Sequence, residues 1–157
     1  MKKALFIALS IFLLGTNVKA QNGTKFLSLR GGYFFNDAFS TTLSLDISTK
    51  YFNQNEIYAE YYQNYKNHDL KTIMGGFVLK PVMYRSGNTA LRFRLGAGIG
   101  STTRKFVAAP QLGLEYSQSI GKGFDLLVVN RNQVVFGGDK ADKWRIGLEA
   151  GIRIPIN

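Results

Sequence analysis

The 157-residue sequence has no cysteine and one histidine, His68. Without thiols it is neither a disulfide-stapled secreted scaffold nor a lipid-anchored lipoprotein, and its stability rests on hydrogen bonds and packing. A single imidazole rules out any two-histidine metal site and any His-Glu-x-x-His helix, so no metal or other cofactor is expected. Beyond the first twenty residues no stretch reaches the ~18 continuous apolar residues of a membrane-spanning helix. Runs of Ala, Leu, Glu and Lys, which favour helices, are missing as well. There is no Gly-x-Ser-x-Gly, and so no nucleophile elbow. Acids are scarce, 10 against 20 lysines and arginines, giving a formal charge of +10. The basic residues are dispersed, without a long run or a recognisable nucleic-acid motif, so no direct nucleic-acid binding is expected. Anionic lipid headgroups account for Lys66, Lys71, Arg104, Lys105, Lys140 and Lys143 at least as well.

What is present is glycine and aromatics: 17 Gly, 12 Phe and 8 Tyr. The chain opens with an export signal. Lys2 and Lys3 are followed by an apolar stretch from Ala4 to Gly15, and Val18-Lys19-Ala20 presents small residues before Gln21, which predicts cleavage after Ala20. Residues 1–20 are thus a signal peptide and 21–157 one β-domain. Three lysines and no acid leave with the signal, so the charge falls from +10 to +7.

The domain is organised around its last stretch, Trp144 to Asn157. Trp144, Ile146, Leu148, Ala150, Ile152, Ile154 and Ile156 alternate with Arg145, Gly147, Glu149, Gly151 and Arg153, the period of a strand. Its length exceeds the ~5–6 residues of an ordinary soluble strand and suits a tilted strand crossing a bilayer. Glu149-x-Gly151-x-x-Ile154-x-Ile156 resembles the C-terminal assembly signal of bacterial outer-membrane barrels, with Asn157 where those end in an aromatic. The same alternation recurs upstream: Leu27, Leu29 and Tyr33 against Ser28 and Arg30; Leu43, Leu45 and Ile47 against Thr42, Ser44 and Asp46; Leu91, Phe93 and Leu95 against Arg92 and Arg94; Leu112, Leu114 and Tyr116 against Gln111 and Glu115. A strand over about Ile57–Tyr65, aromatic on both faces, and one over Phe124–Val135, with its run Leu126-Leu127-Val128-Val129, have no assignable facing. Another spans Thr72–Tyr84, with Pro81 marking a bulge or the strand's end zone. Phe52–Asn55, Ser86–Asn88 and Gly121–Gly123 read as turns. The sum is eight strands, which predicts an all-β, eight-stranded antiparallel up-and-down transmembrane β-barrel in the outer membrane.

Eight strands enclose a bore just wide enough for their own side chains. If the apolar faces meet lipid, Arg30, Asp46, Arg92, Arg94, Glu115, Arg145, Glu149 and Arg153 face inward. Charges there need partners, so an Arg–carboxylate network is expected, with Glu115 and Glu149 as central acceptors, plugging the lumen rather than lining an anion channel. Inward glycines such as Gly96, Gly98 and Gly100 make room for it; they lie inside an alternating strand, not in the strand-to-helix turn of a phosphate loop. His68-Asp69 sits in a loop, where a lipid-modifying barrel enzyme could present a base; an exposed loop histidine is the plainer reading. A periplasmic ligand-binding barrel would need the opposite facing, apolar inside and arginine outside.

Several residues together resemble the TraO family of conjugative-transposon proteins from Bacteroidetes. They are Ala59-Glu60-Tyr61 with Tyr65 and the polar turn ending at Lys71, Met74-Gly75-Gly76-Phe77, Gly96-Ala97-Gly98, Val134-Val135-Phe136-Gly137 with Asp139, and Trp144-Arg145 through Arg153. The resemblance implies a small outer-membrane barrel acting with the conjugal DNA-transfer machinery, its partners being outer-membrane lipid and other conjugal transfer proteins, and it implies no catalytic residue. A generic small outer-membrane barrel of adhesion or membrane-stability type is the alternative. The oligomeric state is not legible in the sequence.

Overall fold

The computed structural model describes residues 23–66, 70–103, 105–121, 123–138 and 143–156. The expected export signal, His68, Asp69 and Asn157 lie outside the described residues. Nine strand segments follow one another: β1 Lys25–Phe34, β2 Ala38–Ser48, β3 Gln54–Asn64, β4 Lys71–Lys80, β5 Val82–Ser86, β6 Thr89–Thr102, β7 Phe106–Ile120, β8 Phe124–Val134 and β9 Trp144–Ile156. All pairings are antiparallel. β9 returns to β1 and β4 pairs with β6, so the sheet has no free edge. β4 and β5 are two halves of one stave along β6, and the barrel is a closed eight-stranded one.

The break in that stave has a local cause. Pro81 has no N–H for the ladder, and the register shifts between Val82 and Tyr84. The gap is repaired from both sides: Phe93 N–H donates to the Pro81 carbonyl at 3.0 Å, and the Asn53 side chain accepts from Val82 N–H at 2.9 Å.

Three connections join the strands at the end where β1 begins and β9 stops, and four, including the two longest, β3–β4 and β8–β9, join them at the other; these are the turn end and the loop end. Gly87 and Gly121 hold positive φ, as tight turns require. The β2–β3 turn lies earlier than its composition suggests, because Tyr51 and Phe52 themselves take the left-handed conformation, φ 59° and 63°, within a 3-10 turn over Lys50–Phe52. Thr49 N–H closes it on the Asn53 carbonyl at 2.8 Å, and Arg85 stacks 3.8 Å from the Phe52 ring centroid. β3 therefore starts at Gln54, and Gln54, Glu56, Tyr58, Glu60, Tyr62 and Asn64 form its buried face.

Candidate functional site

Alternation along the staves separates two chemistries across a wall one residue thick. Outside, Leu29, Leu43, Leu95, Leu112, Leu148 and Ile152 belong to an exposed apolar belt. Aromatics gather at its two rims: Tyr33, Phe39, Tyr61, Tyr65, Phe106, Phe136 and Trp144 at the loop end, Tyr51, Phe52, Tyr84 and Phe124 at the turn end. An apolar band between aromatic girdles is the surface a barrel presents to a bilayer. In water such an area would be a large exposed patch. The opposite facing, required by a ligand-binding barrel with an apolar interior, is not what the chain adopts, since the charged side chains occupy the inside.

The inside is filled. Among the described residues seven cations (Arg30, Lys80, Arg92, Arg94, Arg131, Arg145 and Arg153) and five acids (Asp46, Glu56, Glu60, Glu115 and Glu149) are buried. The near balance makes mutual neutralisation possible, and the geometry uses it. Glu56 is the hub. Arg30 grips it with two hydrogen bonds, at 2.6 and 3.0 Å, Arg94 with two at 2.8 Å, and Lys80 Nζ lies 3.0 Å away. Such forked guanidinium–carboxylate contacts are the strongest ion pairs available to side chains. Glu115 lies beside it and takes Arg94 at 2.7 Å, Lys80 at 2.9 Å, Arg153 at 3.3 Å and Arg92 at 3.6 Å. Asp46 completes this tier, with Lys80 at 2.6 Å and Ser28 Oγ donating at 2.7 Å.

Arg30 also reaches Glu149 at 3.4 Å and so links a second tier. There Glu149 accepts from Ser40 at 3.0 Å and pairs with Arg131 at 2.9 Å, while Arg131 pairs with Glu60 at 2.5 Å. At the turn end Arg153 is forked onto Asp125, at 2.6 and 2.9 Å, and donates to Gln54 at 2.7 Å. Gly151 makes the crossing of Arg30 possible, since a Cβ there would stand 2.7 Å from Arg30 Cγ. Arg145 is placed elsewhere. Its guanidinium lies 3.6 Å from the Tyr62 ring centroid and donates to Thr72 at 2.9 Å, at the loop end. The expectation of Glu115 and Glu149 as the two central acceptors is corrected accordingly: Glu56 and Glu115 share the centre.

Above the charges the bore is closed by apolar groups. Met74, Val107, Ala109 and Val135 form one buried cluster; Phe34, Ala38 and Tyr62 form another, with the Phe34 and Tyr62 rings edge to face at 5.5 Å. Below them the turn end opens into a vestibule of about 460 Å³, lined by Phe26, Lys50, Gln54, Arg85, Arg92 and Arg153 among others. Glu56, Glu60, Lys80, Asp125 and Arg131 are the network members that alternation alone does not find. Among the described residues no group of His, Cys, Asp and Glu is arranged to hold a metal ion. Of the assembly-signal residues, Glu149 and Gly151 point into the bore, and Ile154 and Ile156 lie at the turn end of β9.

A closed antiparallel barrel with a lipid-compatible outer face and a packed polar lumen is an eight-stranded transmembrane β-barrel. Solved structures of that class share the fold. The chain is similar to the N-terminal β-barrel domain of Pseudomonas aeruginosa OprF, with 11% identity over 86% of this chain and 100% of that one and a TM-score of 0.62. It is similar to neisserial surface protein A, with 15% identity over 85% and 96% and a TM-score of 0.59. A de novo designed transmembrane β-barrel superposes with 12% identity over 85% and 96% and a TM-score of 0.54. No protein-family model and no curated protein matches the sequence.

Proposed function

We propose that this chain is a non-enzymatic β-barrel of the bacterial outer membrane, exported through a cleaved signal peptide, that serves as a structural or accessory component of a conjugative-transposon DNA-transfer apparatus. The single observation behind the non-enzymatic, non-channel part is the filled lumen: a bore occupied by its own ion pairs leaves anchoring and contact at the two ends as the work available to the barrel. Glu149, Gly151, Ile154 and Ile156 on β9 serve as the signal read during barrel assembly.

The conjugation part rests on the ordered residue set that resembles the TraO family. Many of those residues are packing positions here: Gly76 faces the Tyr58 ring, Gly98 faces Met74, and Val135 belongs to the apolar cap. The set combines these interior positions with outward aromatics such as Tyr61, Tyr65, Phe136 and Trp144, and the resemblance implies no catalytic residue. Deleting the gene from its mobile element and measuring DNA transfer between donor and recipient cells tests the assignment. Transfer should fall and return with the wild-type gene. Unchanged transfer would remove the conjugation role while leaving the barrel reading intact. Fractionation should recover the protein, beginning at Gln21, with outer membranes.

A further inference from the structure

The outer belt is interrupted at the centre of β8. Asn130 and Asn132 point outward there, and their cross-strand neighbours are Leu114 and Leu148 for the first, Leu112 and Ile146 for the second. Asn130 lies midway along the chain between Phe124 and Phe136, the outward aromatics at the two ends of its strand. At ~3.3 Å per residue and a tilt of ~40°, each end is some 15 Å away in depth. The two amides thus sit near the middle of the hydrocarbon, where acyl chains offer no hydrogen-bond partner. They satisfy each other only in part. Asn132 Nδ2 donates to Asn130 Oδ1 at 2.8 Å, and the remaining contacts are to the Gly147 and Leu112 carbonyls at a long 3.4 Å. Among the described residues no group donates to Asn132 Oδ1.

We propose that a second copy of this chain covers the patch, related by a two-fold axis along the membrane normal, with the Asn130–Asn132 amides of the two copies hydrogen-bonded to one another. Three features select a second copy. Copies inserted in one membrane share depth and orientation, so their amides are level without further adjustment. A carboxamide carries both donor and acceptor, so the patch is self-complementary, as a two-fold contact requires. Strands tilted by ~40° on facing walls cross at about 80°, which confines contact to a short region around the crossing. That region is where the amides lie, with Leu114 and Leu148 beside them to pack.

A chain without cysteine makes the test direct. Val128→Cys places one thiol beside the amides on β8, and Ile57→Cys places one on β3, four staves away around the barrel. Each variant is made in the full-length protein, assembled in native membranes and oxidised with copper phenanthroline. The Val128→Cys protein should give disulfide-linked dimer in roughly tenfold excess over Ile57→Cys, in line with the strength of polar contacts between membrane segments. Adding Asn130→Leu and Asn132→Leu should reduce that yield to the Ile57→Cys level, with heat-modifiable migration showing that the more apolar barrel still folds. Equal yields from the two sites in the otherwise native chain overturn the proposal, however the leucine variant behaves. So does a Val128→Cys dimer that survives the leucines.

Discussion

The two halves of the lumen close the same bore by different means. Toward the turn end, Glu56, Glu115 and Asp46 are surrounded by Arg30, Arg94, Lys80 and Arg153, and most contacts are between charges. Toward the loop end, Met74, Val107, Phe34 and Tyr62 fill much of the space, with Arg145 stacked on Tyr62 among them. The apolar cap needs no partner for its groups, so losing one side chain costs only its contacts. The charged half depends on its own members: its carboxylates offset most of the cationic charge, and deleting a shared one strands its partners in a medium that cannot solvate them. Breaking each half should therefore have unequal effects.

The largest effect belongs to the hub. Glu56→Ala leaves Arg30, Arg94 and Lys80 short of an acceptor at once, and breaking a buried pair from one side costs roughly 3–5 kcal/mol. Urea unfolding of the reconstituted barrel should show a loss of that order. Next comes the opposite face of the same wall: Leu148→Arg puts a cation into the belt, at ~2–4 kcal/mol near the midplane, and should deplete the heat-modifiable folded band. Glu149→Gln, one residue away but facing inward, keeps its shape and should be milder. Normal folding of Leu148→Arg with failure of Glu149→Gln would mean that the two faces are exchanged. In the cap, Tyr62→Leu loses the edge-to-face contact with Phe34 and the stacking of Arg145, about 1–2 kcal/mol together, and should shift the urea midpoint by less than Glu56→Ala does.

The smallest effect is on an ion pair in water. Lys66 pairs with Asp37 beside the loop-end rim, and this contact, followed by the hydrogen bond from Tyr33, holds the Asp37 carboxyl below its ordinary pKa. Lys66→Ala should raise the Asp37 titration midpoint, measured by NMR, and leave the unfolding transition where it was, because solvent screens exposed pairs.

How much of this was legible in the sequence varied by stave. Where one face is apolar and the other polar, as in β2, β6, β7 and β9, period-two alternation was enough to assign Asp46, Arg92, Arg94, Glu115 and Glu149 to the polar side. It fails at β3 and β8, whose inner faces carry Tyr58, Tyr62, Leu127 and Val129, because an inner wall with apolar and aromatic side chains looks the same as an outer one. Glu56 is hidden because the turn falls two residues earlier than its composition suggests, and nothing in Tyr51-Phe52 announces positive φ at two aromatics. Lys80 stands beside Pro81, where the irregularity in the strand breaks the alternation that would assign its face. Alternation puts Arg145 on the inner face, but its level along the axis depends on the stagger between staves, which no single strand encodes. That stagger lifts it to Tyr62 and away from the hub.

The sealed lumen is tested most directly by single-channel recording on the purified full-length barrel in a planar bilayer. A bore closed by the Glu56–Glu115 network below and the Met74–Tyr62 cap above predicts no steady conductance at moderate voltage. A large, stable, anion-selective current would contradict it and would make the buried arginines the lining of a channel.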